Sequence, residues 1–221
     1  MRQFACPSCG APVLFRSVQS VFATCSYCRS TIVRRDIEVE AIGKVAQLVE
    51  DLSPFQIGTV GRIDGAGFTI CGRAKMVWPD GMWNEWYLLF DDGSDGWLAE
   101  AQGFYAINVA TEVPMHYIMP TSDAKLAGLL DLKLNVGQIV SLSNCQLTVV
   151  DVKQVMCIGT EGELPRASDR LTYIISADLM GGDGSYGCIE VHNHQPYAFI
   201  GRYVEWEELN AVNFRQFEGW S

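Results

Sequence analysis

Residues Pro54–Asn108 read PFQIGTVGRIDGAGFTICGRAKMVWPDGMWNEWYLLFDDGSDGWLAEAQGFYAIN, short apolar runs broken by turn dipeptides at Asp64-Gly65, Asp80-Gly81, Asp92-Gly93 and Asp95-Gly96. Glycine supplies the positive φ that a tight reversal needs, and the Asp before it bonds its own backbone. The runs are rich in Val, Ile, Phe, Trp and Tyr, which suit a pleated, half-buried surface. They predict strands over residues 56–62, 67–78, 83–90, 95–99 and 103–108. Many short strands with close turns imply a small barrel or a strongly bent sheet. Within Trp83-Asn84-Glu85-Trp86-Tyr87, alternation puts Trp83 and Glu85 on one face and Trp86 on the other. Both faces therefore carry a large aromatic. Either these rings close the core, or Trp83, Trp86 and Trp97, with Glu85 and Glu100 beside them, form a surface for a partner.

Outward from this stretch, the pattern recurs. GTVGRIDGAGFTICGRAKMVW starts at Gly58 and GQIVSLSNCQLTVVDVKQVMC at Gly137, with Thr69 and Thr148 equally spaced from those glycines. Trp86-Tyr87-Leu88-Leu89 aligns with Leu171-Thr172-Tyr173-Ile174, and the second copy carries a longer, more polar insertion, Gly159–Arg170. Its strands are expected over 138–143, 146–156, 170–178, 186–192 and 196–203. An internal repeat of this kind implies two similar β units packed side by side.

The N-terminus holds the sharpest chemical signal. Cys6-Pro7-Ser8-Cys9 and Cys25-Ser26-Tyr27-Cys28 are two C-x2-C pairs. Each pair forms a knuckle that aims two sulfurs at one ion, and four thiolates make the tetrahedral site that zinc prefers. With every ligand position filled by protein, Zn2+ there is structural rather than catalytic. Such a short segment has little core, so the metal supplies its folding energy. The other cysteines are scattered, which fits a reducing, cytoplasmic compartment.

The chain of 221 residues carries a net charge of -10. Residues 1–35 hold Arg2, Arg16, Arg29, Arg34 and Arg35 and no acid, so the rest is strongly acidic and repels phosphate backbones. Nucleic-acid binding is therefore a reading for the basic N-terminal segment alone. No apolar run has the length of a membrane span, about 20 residues.

The whole is expected to be mainly β: a zinc ribbon (1–35), a linker helix (36–52), a first SH3-like barrel module (53–110), a connector with a short helix (111–133), a second such module (134–203) and a C-terminal segment (204–221) that covers the body or docks another protein. The linker helix rests on Ile42, Val45, Ala46 and Val49 forming one stripe, against the cost of Gly43. The connector helix starts from the Ser122-Asp123 cap with Leu126, Leu129 and Leu130 as its apolar side. On a continued strand, Cys188, Glu190, His192 and His194 share a face, and His192 with His194 is a second candidate ligand or acid–base pair.

The motifs G58-T-V-G-R, W83-N-E-W-Y, F90-D-D-G and G96-W-L-A-E100, with Cys6-Pro7-Ser8-Cys9-Gly10 before them, resemble the bacterial family known as domain of unknown function 4178. The resemblance is strongest over residues 1–108. It implies a bacterial protein and no particular activity. The residues themselves favour a non-enzymatic interaction or scaffold protein with an unidentified protein partner. The alternatives are nucleic-acid binding through the ribbon and an enzyme using an acidic pair, Glu85 and Glu100, between the modules.

Overall fold

The computed structural model describes residues 1–35, 38–44, 51–122, 129–165, 173–192 and 194–217. The N-terminal part supplies β1 (Arg2–Ala5), β2 (Pro12–Phe15), β3 (Phe22–Thr24), β4 (Ser30–Arg35) and β5 (Glu38–Lys44). A first meander follows: β6 (Val60–Ile63), β7 (Ala66–Trp78), β8 (Gly81–Phe90), β9 (Asp95–Ala101) and β10 (Phe104–Thr111). A short ladder of β11 (Ile118–Pro120) and β12 (Leu130–Leu132) leads to the second meander. That comprises β13 (Ile139–Leu142), β14 (Cys145–Leu164), β15 (Tyr173–Met180), β16 (Ser185–His192) and β17 (Gln195–Val204).

All but the β1–β2 and β11–β12 ladders join one 13-stranded sheet in the order β5-β4-β3-β14-β15-β16-β17-β10-β9-β8-β7-β6, with β13 on β14. Two seams tie the meanders together. One pairs β10 with β17, from Tyr105↔Val204 to Thr111↔Ala198. The other pairs β7 with β14, from Val77↔Met156 to Gly72↔Gly162. Backbones come close at both: a Cβ on Gly201 would stand 1.8 Å from the Ile107 carbonyl oxygen, and one on Gly72 1.9 Å from that of Glu163.

The expected pair of separate SH3-like barrel modules is therefore wrong. The cause is β14. The stretch from Gly159 reads as a polar insertion because of Gly159, Glu161, Gly162 and Glu163. It is strand as far as Leu164, because its backbone finds partners beyond its own meander. Residues 148–156 pair with β15, residues 156–162 with β7, and Glu163-Leu164 with β3. One strand thus belongs to both meanders and to the N-terminal segment.

The linker helix is also overturned where it is described. Glu38–Lys44 is a strand on β4, with Val39 and Ala41 inward and Glu38, Glu40 and Ile42 outward. Over these seven residues a period of two governs, and of the helical stripe only Ile42 falls among them. Residues 45–50 of that expected helix, and 123–128 of the expected connector helix, lie outside the described residues.

The two meanders follow the same course. Gly58 N–H donates to the Ile70 carbonyl and Gly137 N–H to that of Val149, each at 2.8 Å and from a positive φ. A bulge follows each acceptor, between Ile70 and Gly72 and between Val149 and Asp151. Each meander buries its own core. Phe55 plugs the first, among Phe68, Ile70, Trp86, Leu88 and Leu98; Leu134 plugs the second, among Leu147, Val149, Leu179 and Ile189. These registers match Trp86–Leu89 with Ala177–Met180, not with Leu171–Ile174.

The C-terminal segment packs on the first meander. Trp206–Leu209 is a 3-10 turn closed by a Glu205/Glu208 capping box. Phe214 stacks on Trp206 at 5.1 Å, and Val212 bridges to Val60 on the edge strand β6. Covering an edge in this way removes a template for pairing with another chain. Residues 218–221 lie outside the described part.

Candidate functional site

The two N-terminal knuckles are built alike. Cys6 N–H donates to the Ala11 carbonyl and Gly10 N–H to that of Cys6; Cys25 N–H donates to the Ser30 carbonyl and Arg29 N–H to that of Cys25. Gly10 and Arg29 both hold positive φ, which folds each loop back over its sulfurs. The result brings Cys6, Cys9, Cys25 and Cys28 together with all sulfurs within 4.8 Å of one another. Cys6 and Cys28 are 3.6 Å apart, and Cys9 and Cys25 3.8 Å. A tetrahedron with zinc–sulfur bonds of 2.3 Å has edges of about 3.8 Å, so the cluster is capable of coordinating a metal ion. The Ser30 hydroxyl and backbone N–H pull the Cys28 thiol down to about 6. At Cys9 a backbone hydrogen bond from Ala11 is outweighed by desolvation and the three neighbouring thiols, which push the thiol up to about 12, so the quartet does not ionise uniformly by itself.

This segment is fixed to the body through Glu163. Its fully buried carboxylate accepts from Arg16 N–H at 2.8 and 2.7 Å and from Ser17 N–H at 3.1 Å, and pairs with the Arg16 guanidinium at 3.6 Å. Tyr87 OH meets Ser17 Oγ at 3.1 Å, and Thr24 meets Thr160 at 3.0 Å. The basic residues proposed for nucleic acid are thus partly committed within the chain. Arg16 holds Glu163, Arg34 donates to the Ser17 and Val18 carbonyls, and Arg35 pairs with Glu40.

A second polar cluster lies inside the first meander. Asp51 Oδ2 accepts from Lys75 Nζ at 2.7 Å and from Arg73, which also donates to Asn84 Oδ1. Glu100 Oε2 accepts from Ser53 Oγ at 2.7 Å, Trp86 Nε1 at 2.9 Å and Asn84 Nδ2 at 3.0 Å. The Arg73 guanidinium lies over the Trp86 ring at 4.7 Å and reaches Glu161 of β14 at 3.6 Å. Arg73 and Lys75 are 4% and 1% exposed, so two cations are sealed against these carboxylates. By itself burial would raise the Asp51 pKa, but the Lys75 hydrogen bond and the Arg73 and Lys75 charges outweigh it and hold the carboxyl below its ordinary 3.8. The registers place Val152, Ile175, Ala177 and Val191 of the second meander where the first has Arg73, Asn84, Trp86 and Glu100. The same backbone holds a charged network in one half and an apolar core in the other.

The proposed aromatic surface is not assembled. Trp86 is 1% and Trp97 6% exposed, the latter packed on Tyr87 at 5.3 Å, and Glu100 is buried in the network just described. Trp83 is half-buried against Trp78, and its Nε1 donates to Glu85 at 3.2 Å. Glu85 and Glu100 do not form an acidic pair: Glu100 sits opposite Asn84, and Glu85 points to the other face.

The histidines also separate. β16 ends at His192, which pairs with Gln195 across a turn, and His194 is exposed in that turn rather than continuing the strand. His192 Nε2 lies 2.7 Å from Glu190 Oε2. Cys188 is next in line, 3.3 Å from Ser176 Oγ. Burial, with Glu190 and Asp178 nearby, pushes its thiol well above the ordinary value, so it stays protonated and unreactive.

Sequence reasoning missed Asp51, Ser53, Arg73, Lys75, Asn84 and Glu163. The available signal was Arg73 and Lys75, two cations on one face of an otherwise apolar strand.

The architecture is all-β and helix-poor, with one candidate cysteine metal centre among the described residues. The chain belongs to the family described as Domain of unknown function (DUF4178), which it matches over residues 56–206, more than half its length. That span takes in both meanders and excludes the cysteine segment. Comparison with curated proteins and with solved structures gives no match. No described helix is long and apolar enough to cross a membrane.

Proposed function

We propose that this is a non-enzymatic interaction or scaffold protein whose N-terminal segment is a zinc ribbon closed by one structural Zn2+. The observation that carries the metal reading is the convergence of four cysteine sulfurs within 4.8 Å. Four thiolates fill a tetrahedral shell and leave no position for water or substrate. The scaffold reading is supported by how the strongest polar groups are spent. Asp51, Arg73, Lys75 and Glu100 satisfy one another, and Glu163 secures the ribbon to β14. Together they make a stiff body with a metal-locked appendage, suited to presenting a fixed surface. None of the eight cysteines is in a disulfide, in keeping with a cytoplasmic setting.

We also read the two meanders as copies of one duplicated unit. Support comes from their common strand order, the matching Gly58 and Gly137 turns and the matching bulges.

The test has two parts. Elemental analysis of protein purified without added metal should give one zinc per chain, and cobalt substitution should give thiolate-to-metal absorption. A chain free of metal, or one holding metal after Cys25→Ser, would sink the ribbon. A pull-down of the full chain at low and moderate salt should then retain a stoichiometric protein. Recovery of nothing at either salt would remove the scaffold reading.

A further inference from the structure

A cleft of about 380 Å³ opens within the N-terminal segment, lined by Arg2, Arg16, Arg34, Phe15, Val18 and Val21 among others. Three of its lining residues are arginines and none is acidic. Glu163, fully buried, accepts from the Arg16 and Ser17 backbone N–H groups and also pairs with the Arg16 guanidinium, so the Arg16 charge is offset within the chain. Arg34 spends two N–H groups on the Ser17 and Val18 carbonyls, which fix its guanidinium over the Phe15 ring at 5.2 Å. One N–H of each terminal nitrogen is thus committed, and three of the five guanidinium donors remain. The site is positive on a protein whose net charge is -10.

We propose that this cleft binds a phosphomonoester that carries an organic group about the size of a nucleoside or an aromatic side chain. Guanidinium forks match tetrahedral phosphate oxygens bidentately, and pre-oriented ones lose little freedom on binding. A volume of about 380 Å³ is more than a bare phosphate fills and falls within the range of small-molecule sites. Val18 and Val21, both exposed, supply the apolar wall for the organic part. All three arginines precede residue 56, so the site stands outside the part of the chain that defines the family.

The cleft exists only while the ribbon is folded, so the inference rests on the ribbon reading. Calorimetric titrations would use the full chain, with metal content and N-terminal amide protection measured for every sample. Loss of the ribbon is thereby told apart from loss of the site. The probes are adenosine monophosphate, phosphotyrosine, their unphosphorylated parents and inorganic phosphate. At least one monoester should bind about tenfold or more tightly than its parent and than inorganic phosphate, and the arm that binds names the source. Arg34→Gln should weaken that binding roughly tenfold, and Arg2→Gln should weaken it as well, with metal content and amide protection checking that the ribbon is retained in each. Equal binding of phosphorylated and parent compounds, or none, overturns the proposal, as does unchanged affinity in both variants. So does binding of a single-stranded oligonucleotide alone, with affinity that falls steeply with salt, since that marks a polyanion track instead.

Discussion

Removing Asp51 tests the buried network most directly. Asp51→Ala takes away the carboxylate that meets Lys75 at 2.7 Å and Arg73 beside it, while both cations stay 1% and 4% exposed. Breaking a buried pair by deleting one partner costs about 3–5 kcal/mol, because the other charge remains desolvated. The Asp51 side chain is 20% exposed, which places the expected loss at the low end, about 3 kcal/mol. For a chain of this size that lowers Tm by about 6–12 °C. Urea unfolding followed by tryptophan fluorescence gives the free energy, since Trp86 sits in the network. Adding Lys75→Met should restore about 1 kcal/mol or more, as the double variant no longer buries that ammonium. The pH dependence has a definite sign. Asp51 titrates below its unfolded value of about 3.9, so its contribution is present above that pH and lost as pH falls through the folded value. The gap between wild type and Asp51→Ala should therefore narrow below about pH 4. A loss under about 1 kcal/mol at neutral pH, or no rescue by Lys75→Met, would refute the claim that these charges depend on one another.

Glu163→Gln should loosen the ribbon by about 1–3 kcal/mol, since the charge that holds the Arg16 and Ser17 N–H groups is gone. Hydrogen exchange should rise over residues 1–35 and stay unchanged in β8 and β9. Gly201→Ala forces a Cβ against the Ile107 carbonyl at the β10–β17 seam and should cost about 1–3 kcal/mol or more, read as a fall in the urea midpoint. Chelation of the metal should unfold the ribbon while the near-ultraviolet dichroism of the tryptophans, all of which follow residue 77, is retained.

Much of the strand pattern could be read directly. The Asp64-Gly65 and Asp92-Gly93 turns and the aromatic, β-branched runs place β7 to β10 and β15 to β17 within a few residues of where they fall, but Asp95-Gly96, expected to turn, opens β9 instead. The cysteine quartet was legible because thiolate chemistry at this spacing has few other uses. The linker failed for a definite reason. The helical stripe was drawn from Ile42, Val45, Ala46 and Val49, and the strand preceding most of it takes its period of two, with Val39 and Ala41 inward, from its pairing with β4. The partner surface failed because alternation assigns a residue to a face without saying what covers it. Trp86 is covered by Phe55 and the C-terminal segment, both distant in sequence from the WNEW motif.

By itself, the sequence determined much of the local vocabulary: which runs extend, and which four cysteines could hold an ion. These follow from φ preferences, side-chain shape and ligand chemistry, all properties of a few neighbouring residues. Only the tertiary structure decided that the two meanders share one sheet, because a strand such as β14 carries the same donors and acceptors along its whole length and nothing local names its partners. It also decided that Asp51, Arg73, Lys75 and Glu100 form a network, while the second meander has Val152 and Val191 where the first has Arg73 and Glu100. A buried charge is tolerable only beside its counter-charge, and these counter-charges come together only when the segment before β6 lies down on β7, β8 and β9.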